Sequence, residues 1–233
     1  LLILGIVVTL LAPVQSVQAQ TATPPPDLTI GTIVARSGDA YIAYDENTQT
    51  WEIGTDGIRR RMDYDPTIGY RLVSFKNKLT NREWLAPGSG TSAELRMQIG
   101  GQEITGSAGD FLFLGYSVKP QTNGALELDI SFKHKSLTVH LFYVTFPQTS
   151  IIEQWTVLEN SGTTTLYDLT ALDSLSVAVR PSADPLTLYW VQGVSPTLAD
   201  LKRAQPVPTL RLRSIRLTER VGQTIESFAR SSE

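Results

Sequence analysis

Residues 126–134 read Leu-Glu-Leu-Asp-Ile-Ser-Phe-Lys-His, and this stretch decides the class of fold. Apolar side chains occupy every second position from Leu126 to Phe132, and polar side chains fill the positions between them. Successive side chains of a β-strand point to opposite faces, so this alternation predicts a strand with one face in the core and one in water. The following stretch, 137–146, is apolar on both faces and predicts a central strand covered on two sides.

The same kind of pattern extends outward along the chain, as short strands separated by Gly, Asn, Asp and Pro. Further strands are predicted at 40–44, 50–53, 58–64, 71–76, 83–85, 94–99, 102–104, 151–158, 166–179 and 210–217. Turns are predicted at 45–47, at 77–81 and at Gly100-Gly101, whose glycines suit a two-residue hairpin. One helical signature occurs, at Ser195-Pro196 with leucines following. The predicted fold is therefore all-β, a large antiparallel β-supersandwich over residues 28–233 with one short connector helix.

Composition narrows the classes of partner and of site. The chain has no cysteine, which excludes disulfides and thiolate metal sites. The net charge is −3 with acids and bases interspersed, which argues against a nucleic-acid or anionic-membrane surface. The one basic cluster, 59–61, is followed by Asp63 and Asp65, and it is interpreted as a solvated strand end.

The first residues have the character of an export signal. Residues 1–11 are apolar and uncharged, and Val17-Gln18-Ala19 provides a small-residue cleavage site. Residues 1–19 are therefore predicted to be a signal peptide, and 20–27 a proline-rich linker. The apolar run is shorter than the about 20 residues that a bilayer crossing needs. We expect a secreted or periplasmic protein with no membrane anchor after cleavage. Because the initiator Met and basic n-region are missing, and because the chain stops at Ser231-Ser232-Glu233 without a tail, both ends are expected to be cut.

Residues that could carry chemistry are few. The histidines, His134 and His140, are interpreted as an exposed turn residue and a packed strand residue rather than as a catalytic pair. The loop at Gly88-Ser89-Gly90 is interpreted as a flexible connection rather than a nucleophile turn. No His/Asp/Glu cluster has the spacing of metal ligands, and no cofactor motif is found. Five acids are glycosidase candidates by type only, and no spacing selects a pair among them: Asp56, Asp63, Asp65, Asp110 and Asp173. No catalytic residue is assigned within the chain.

The four tryptophans are Trp51, Trp84, Trp155 and Trp190. Each is either an anchor of the core, which is the usual role in a β-sandwich, or a flat face for a sugar ring. Trp51, Trp84 and Trp190 are the candidate substrate-binding residues.

Several segments together resemble the N-terminal region of family 36 glycoside hydrolases, the α-galactosidases and melibiases. They are Trp51-Glu52-Ile53-Gly54, then Ile58-Arg59-Arg60, then 69–85 with its closing Asn81-Arg82-Glu83-Trp84-Leu85. Residues 152–162, with their Asn160-Ser161-Gly162 turn, and the final Arg230-Ser231-Ser232 resemble later parts of the same region.

The resemblance implies a β-supersandwich that packs against a (β/α)₈ barrel. In that family both catalytic aspartates lie on the barrel. No alternation of strands with helices occurs in this chain, so no catalytic residue is carried over. The implied function is that of a supporting and oligomerisation domain of a secreted, retaining, α-galactosidase-like enzyme. The fragment alone is expected to be inactive, and α-galactosides are expected to bind through the missing barrel.

Two other functions stay open from the sequence. The first is a free-standing carbohydrate-binding sandwich that uses exposed tryptophans. The second is a mutarotase-like epimerase, which requires His134 and His140 to face one cleft.

Overall fold

The computed structural model describes residues 30–85, 92–107, 109–163, 169–173, 177, 186–192 and 211–217, with only the backbone described in the last two ranges. These residues form antiparallel strands and, within the same ranges, no helix. The strands are β1 (Thr32–Ser37), β2 (Ala40–Asp45), β3 (Thr50–Gly54), β4 (Ile58–Asp65), β5 (Gly69–Asn77), β6 (Arg82–Glu83), β7 (Arg96–Ile99), β8 (Gln102–Thr105), β9 (Leu112–Pro120), β10 (Leu126–His134), β11 (Leu137–Thr145), β12 (Ile152–Asn160), β13 (Leu169–Asp173), β14 (Leu186–Gln192) and β15 (Arg211–Leu217).

The strands assemble into a sandwich of antiparallel sheets. One sheet has six strands in the order β1-β2-β3-β4-β5-β6, and a second has four in the order β12-β11-β10-β9. A three-stranded sheet, β13-β7-β8, and a two-stranded pair, β14-β15, complete the described elements. The prediction of an all-β antiparallel sandwich is confirmed. The predicted signal peptide, linker and connector helix lie outside the described residues.

The six-stranded and four-stranded sheets pack face to face through aromatic rings. Trp51 of β3 lies 5.3 Å from Phe113 of β9, measured between ring centroids, and Tyr70 of β5 lies 4.8 Å from Phe132 of β10. Leu95 and Met97 from the three-stranded sheet join the same buried cluster. A single hydrophobic core therefore spans three sheets, and it buries the large side chains that a sandwich of this size needs.

The alternation in β10 is confirmed. Leu126, Leu128, Ile130 and Phe132 are each at most 1% exposed, while the residues between them are half-buried or exposed. The prediction of a central strand at 137–146 is correct. The prediction that both faces of this strand are covered is wrong over 138–142. Thr138, His140 and Phe142 are only half-buried because they point to the outer face of the four-stranded sheet.

Turn predictions at three places are confirmed. Gly100 and Gly101 have φ of +57° and +75° and join β7 to β8 as a two-residue hairpin, a conformation that glycine adopts without strain. In the 45–47 turn the amide of Asn47 donates to Asp45 Oδ1 over 3.0 Å. In the 77–81 turn the amide of Thr80 donates to Asn77 Oδ1 over 3.0 Å.

Some elements differ from the sequence predictions. β1, β9 and β14 were not predicted. Of the predicted strand 166–179 the structure describes β13, which pairs with β7 of the three-stranded sheet. The basic run 59–61 lies inside β4 rather than at a solvated strand end. Arg60 is buried and its neighbours are half-buried.

Replacement of Trp51 by alanine is expected to lower the free energy of unfolding by about 3–5 kcal/mol, because Trp51 is fully buried among four rings. Urea unfolding followed by circular dichroism measures the change. Trp84→Ala is the matched control. Trp84 is half-buried and its visible partner is Arg82, so its loss should cost about 1 kcal/mol. Equal costs for the two variants would contradict this description of the core.

Candidate functional site

The three tryptophans that were predicted from the sequence to bind a sugar lie in different elements of the fold. Trp51 is 0% exposed in the core, so it offers no ring face to a sugar, and its assignment as a ligand residue was wrong. Trp84 follows β6 and is half-buried under the guanidinium of Arg82, whose Cζ lies 4.2 Å from the ring centroid. Trp190 lies in β14 opposite Arg213, and its side chain is outside what the structure describes. These three residues form no common site among the described contacts.

The two histidines lie on opposite faces of one sheet. His134 ends β10 in the inward-facing series, is 3% exposed and stacks on Phe111 at 4.9 Å. Its Nδ1 approaches Asp110 Oδ2 to 3.1 Å without the alignment of a hydrogen bond. His140 lies in β11 on the outward-facing side, with 28% of its side chain exposed. The prediction of an exposed His134 was therefore wrong, because the two-residue period places that residue inside. His140 is a strand residue as predicted, but it lies half-buried on the outer face.

The five candidate aspartates have different local partners. Asp63 pairs with Arg71 at 2.7 Å, and Asp173 lies 3.5 Å from Arg96. Asp65 accepts the amides of Thr67 and Ile68, and these bonds hold the pKa of its carboxyl below the ordinary value. Asp56 is exposed in a turn, and Asp110 lies beside His134. Each of these acids is a turn or surface residue in the described structure.

A buried polar cluster crosses the interior of the sandwich. Glu94, just before β7, accepts from Arg60 Nη2 at 2.5 Å and from Tyr143 Oη at 2.9 Å through the same Oε2 atom. Tyr70 then donates its hydroxyl to that of Tyr143 over 3.2 Å. The members come from β4, β5 and β11 and from the segment before β7, so the cluster ties the two large sheets to the third. We call these four residues the core clasp.

Burial sets the protonation of the core clasp. Desolvation, and then the charge of Glu94, raise the pKa of both Tyr70 and Tyr143 well above the ordinary value. Burial is the largest single influence on Arg60 and by itself would lower its pKa. The charge of Glu94, the interaction with Tyr143 and the hydrogen bond to Glu94 together outweigh burial, so the pKa of Arg60 is raised. Two neutral phenols and one ion pair therefore occupy the interior. Within the described contacts Arg60 Nε and Glu94 Oε1 have no hydrogen-bond partner.

A second buried carboxylate lies on the other face of the six-stranded sheet. Glu52 of β3 is 0% exposed, accepts from Tyr41 Oη over 2.8 Å, and accepts from Arg61 Nε over 3.0 Å. Arg60 and Arg61 are adjacent in β4 and therefore point to opposite faces. Glu52 and Glu94 are consequently separated by the sheet itself. They cannot act as the two carboxylates of one glycosidase site, which must face a common sugar.

The outer face of the four-stranded sheet carries a polar group that has the composition of a catalytic triad but not its geometry. His140 Nδ1 lies 3.0 Å from Ser131 Oγ and 3.2 Å from Asp129 Oδ2. In a serine hydrolase the serine and the carboxylate engage different ring nitrogens, so that the histidine can relay a proton. Here both engage Nδ1, and Ser131 is not activated as a nucleophile.

Aromatic side chains lie beside this polar group. Phe142 of β11 is the cross-strand partner of Trp155 of β12, and their rings stack at 5.0 Å between centroids with 5° between planes. His140 lies two residues from Phe142, at 6.1 Å between ring centroids. We call Asp129, Ser131, His140, Phe142 and Trp155 the outer-face cluster. The strict alternation of β10 predicts the outward direction of Asp129 and Ser131. The strand register with β11 and β12, which completes the cluster, cannot be predicted from the local sequence.

In the part of the chain that the structure describes, no group of three or more His, Asp or Glu side chains could hold a metal ion. The same residues include no helix that is long and apolar enough to cross a membrane. The Gly88-Ser89-Gly90 loop lies outside the described residues.

Comparison of the chain with protein-family models, with curated proteins and with solved structures gives no match.

Breaking the core clasp from one side is expected to be costly. Arg60→Met leaves the Glu94 carboxylate buried without its cation, which should lower the free energy of unfolding by about 3–5 kcal/mol. The double variant Arg60→Met/Glu94→Gln removes the charge and keeps an oxygen acceptor for Tyr143, so it should be more stable than Arg60→Met alone. Urea unfolding of the wild type, both single variants and the double variant measures the coupling. Strictly additive effects would contradict the described ion pair.

Proposed function

We propose that this chain supplies the β-sandwich domain of a secreted glycoside hydrolase that resembles family 36 and acts on α-galactosides. In this proposal a barrel domain outside residues 28–233 carries out hydrolysis. The sandwich supports that barrel and provides a surface for oligomerisation.

The arrangement of the segments that carry the resemblance supports this proposal. Residues 51–54, 58–60 and 69–85 include β3, the start of β4, β5 and β6, which are successive neighbours in the six-stranded sheet. Several of their apolar and aromatic residues lie in the core, among them Trp51, Ile53 and Leu72. Segments that are separate in sequence thus form one continuous structural unit, as expected of a scaffold.

The chemistry of the described residues is consistent with a supporting role. Glu52 and Glu94 lie on opposite faces of a sheet and are engaged by arginine and tyrosine. The outer-face cluster lacks an activated serine. A retaining glycosidase needs two carboxyl groups about 5–5.5 Å apart around one sugar, and no such pair is assigned within the described ranges.

A free-standing carbohydrate-binding sandwich is the second candidate. The half-buried Phe142 and Trp155 on the outer face of the four-stranded sheet favour it, because aromatic faces and edges are used to contact ligands. The epimerase interpretation requires His134 and His140 to face one cleft. Their opposite directions on the same sheet do not support it.

The first proposal is tested with the complete gene product that contains this chain. It should release 4-nitrophenol from 4-nitrophenyl α-D-galactopyranoside and leave the β-anomer unhydrolysed. Proton NMR should show α-galactose as the first product, because the reaction retains configuration. The chain of residues 28–233 alone should release none. A complete gene product without a barrel, or without activity on the α-galactoside, would contradict the proposal.

A further inference from the structure

We infer that the outer-face cluster is a binding site for a neutral pyranoside, with Trp155 and Phe142 contacting the apolar side of the sugar and His140 and Asp129 accepting its hydroxyl protons. This inference rests on the proposed carbohydrate function and gives it a location on the sandwich. The location differs from that expected from the sequence, which selected Trp51, Trp84 and Trp190.

The cluster is brought together by strand register rather than by a loop. Asp129 of β10 is opposite Phe142 of β11, and Phe142 is in turn opposite Trp155 of β12. One step along the same face, Ser131 is opposite His140. Three adjacent strands therefore fix the positions of the five side chains. A site built on paired strands has a more precise geometry than a site built on a loop.

Hydrogen bonding within the cluster leaves acceptors facing outward. The carboxylate of Asp129 can only accept, so His140 Nδ1 donates to it over 3.2 Å. In the neutral ring Nε2 then carries a lone pair. Nε2 has no partner among the described residues and is not one of the buried unpaired atoms. A ligand that brings hydroxyl groups can therefore donate to this nitrogen and to the Asp129 carboxylate.

The apolar half of the site is formed by rings that remain partly open. Trp155 lies on β12, and among the described strands β12 pairs with β11 alone. The ring of Phe142, which lies on β11, stacks on one side of the Trp155 ring. Val157, the next outward residue on β12, is 44% exposed. The cluster thus combines a partly exposed apolar surface with nearby acceptors, and a pyranose has one apolar face edged by hydroxyl donors.

Charge on the same face favours a neutral ligand over an anionic one. Outward positions of β9, β10 and β12 carry more carboxylates than ammonium groups: Glu127, Asp129, Glu153 and Glu159 against Lys119 and Lys133. A phosphate or carboxylate ligand would meet this negative field, whereas hydroxyl donors are attracted to it. The described contacts of the cluster therefore fit a sugar better than a nucleotide.

The test is isothermal titration of the 233-residue chain with methyl α-D-galactopyranoside and with raffinose. Saturable binding is expected. Trp155→Ala should weaken it at least about tenfold, and Asp129→Asn about fivefold, through the lost acceptor charge. Trp155→Phe should retain most of the affinity, because a ring remains. Leu79→Ala removes an exposed apolar side chain from the turn after β5 and should leave binding unchanged.

Circular dichroism of each variant separates loss of binding from loss of fold. Absence of binding by the folded wild-type chain, unchanged affinity in Trp155→Ala, or preferential binding of adenosine over both sugars would each overturn the inference. Hydrolysis of the α-galactoside by the complete gene product would still stand in those cases. Binding by the chain together with an inactive gene product would instead overturn the hydrolase proposal and leave this site in place.

Discussion

The two-residue period of β10 and β11 is the constraint on which the rest of the structure depends. It sends Leu128, Ile130 and Phe132 into the core and Asp129 and Ser131 to the opposite side. Because β12 flanks this pair in unbroken register, and β9 does so on either side of one bulge, the partition is shared by the four-stranded sheet. A slip of one residue would exchange the apolar and polar faces, and the burial of the inward side chains excludes that alternative.

The same period accounts for the separation of the charged groups. Arg60 and Arg61 are neighbours in β4, yet one pairs with Glu94 inside the sandwich and the other with Glu52 on the far face. A buried charge is tolerated only with a partner and further hydrogen bonds, and Tyr143 and Tyr41 supply these. Glu94 therefore connects different sheets of the sandwich, whereas Glu52 connects neighbouring strands of the six-stranded sheet. The outer-face cluster lies apart from both, on β10–β12.

The local pattern of apolar, polar and turn-forming residues was sufficient to predict much of the fold. The alternation of 126–132, the glycine pair at 100–101 and the Asx-type turns are short-range signals, and the structure confirms them. β9 was missed because Gly115 and a bulge near Phe113 and Leu114 interrupt its period. The partner of 166–179 was not predicted, since pairing between β13 and β7 joins residues about 70 positions apart.

The candidate site was harder to predict from the sequence than the fold was. Trp51 and Trp155 have similar local surroundings, and only the packing of sheets makes the first a core anchor and the second a surface residue. His134 was interpreted as exposed because it adjoins lysines. Its burial follows from its position at the end of the inward-facing series of β10. The alternation of apolar and polar residues in β10 already indicates that position.

The most direct test of the partition between faces uses the chain's two histidines as probes. Diethyl pyrocarbonate modifies accessible imidazoles, and peptide mass spectrometry locates the modified residue. The structure predicts that in the folded chain His140 is modified and His134 is protected, and that His134 reacts only after unfolding in urea. Modification of both residues at similar rates in the folded chain, or of His134 first, would contradict the account.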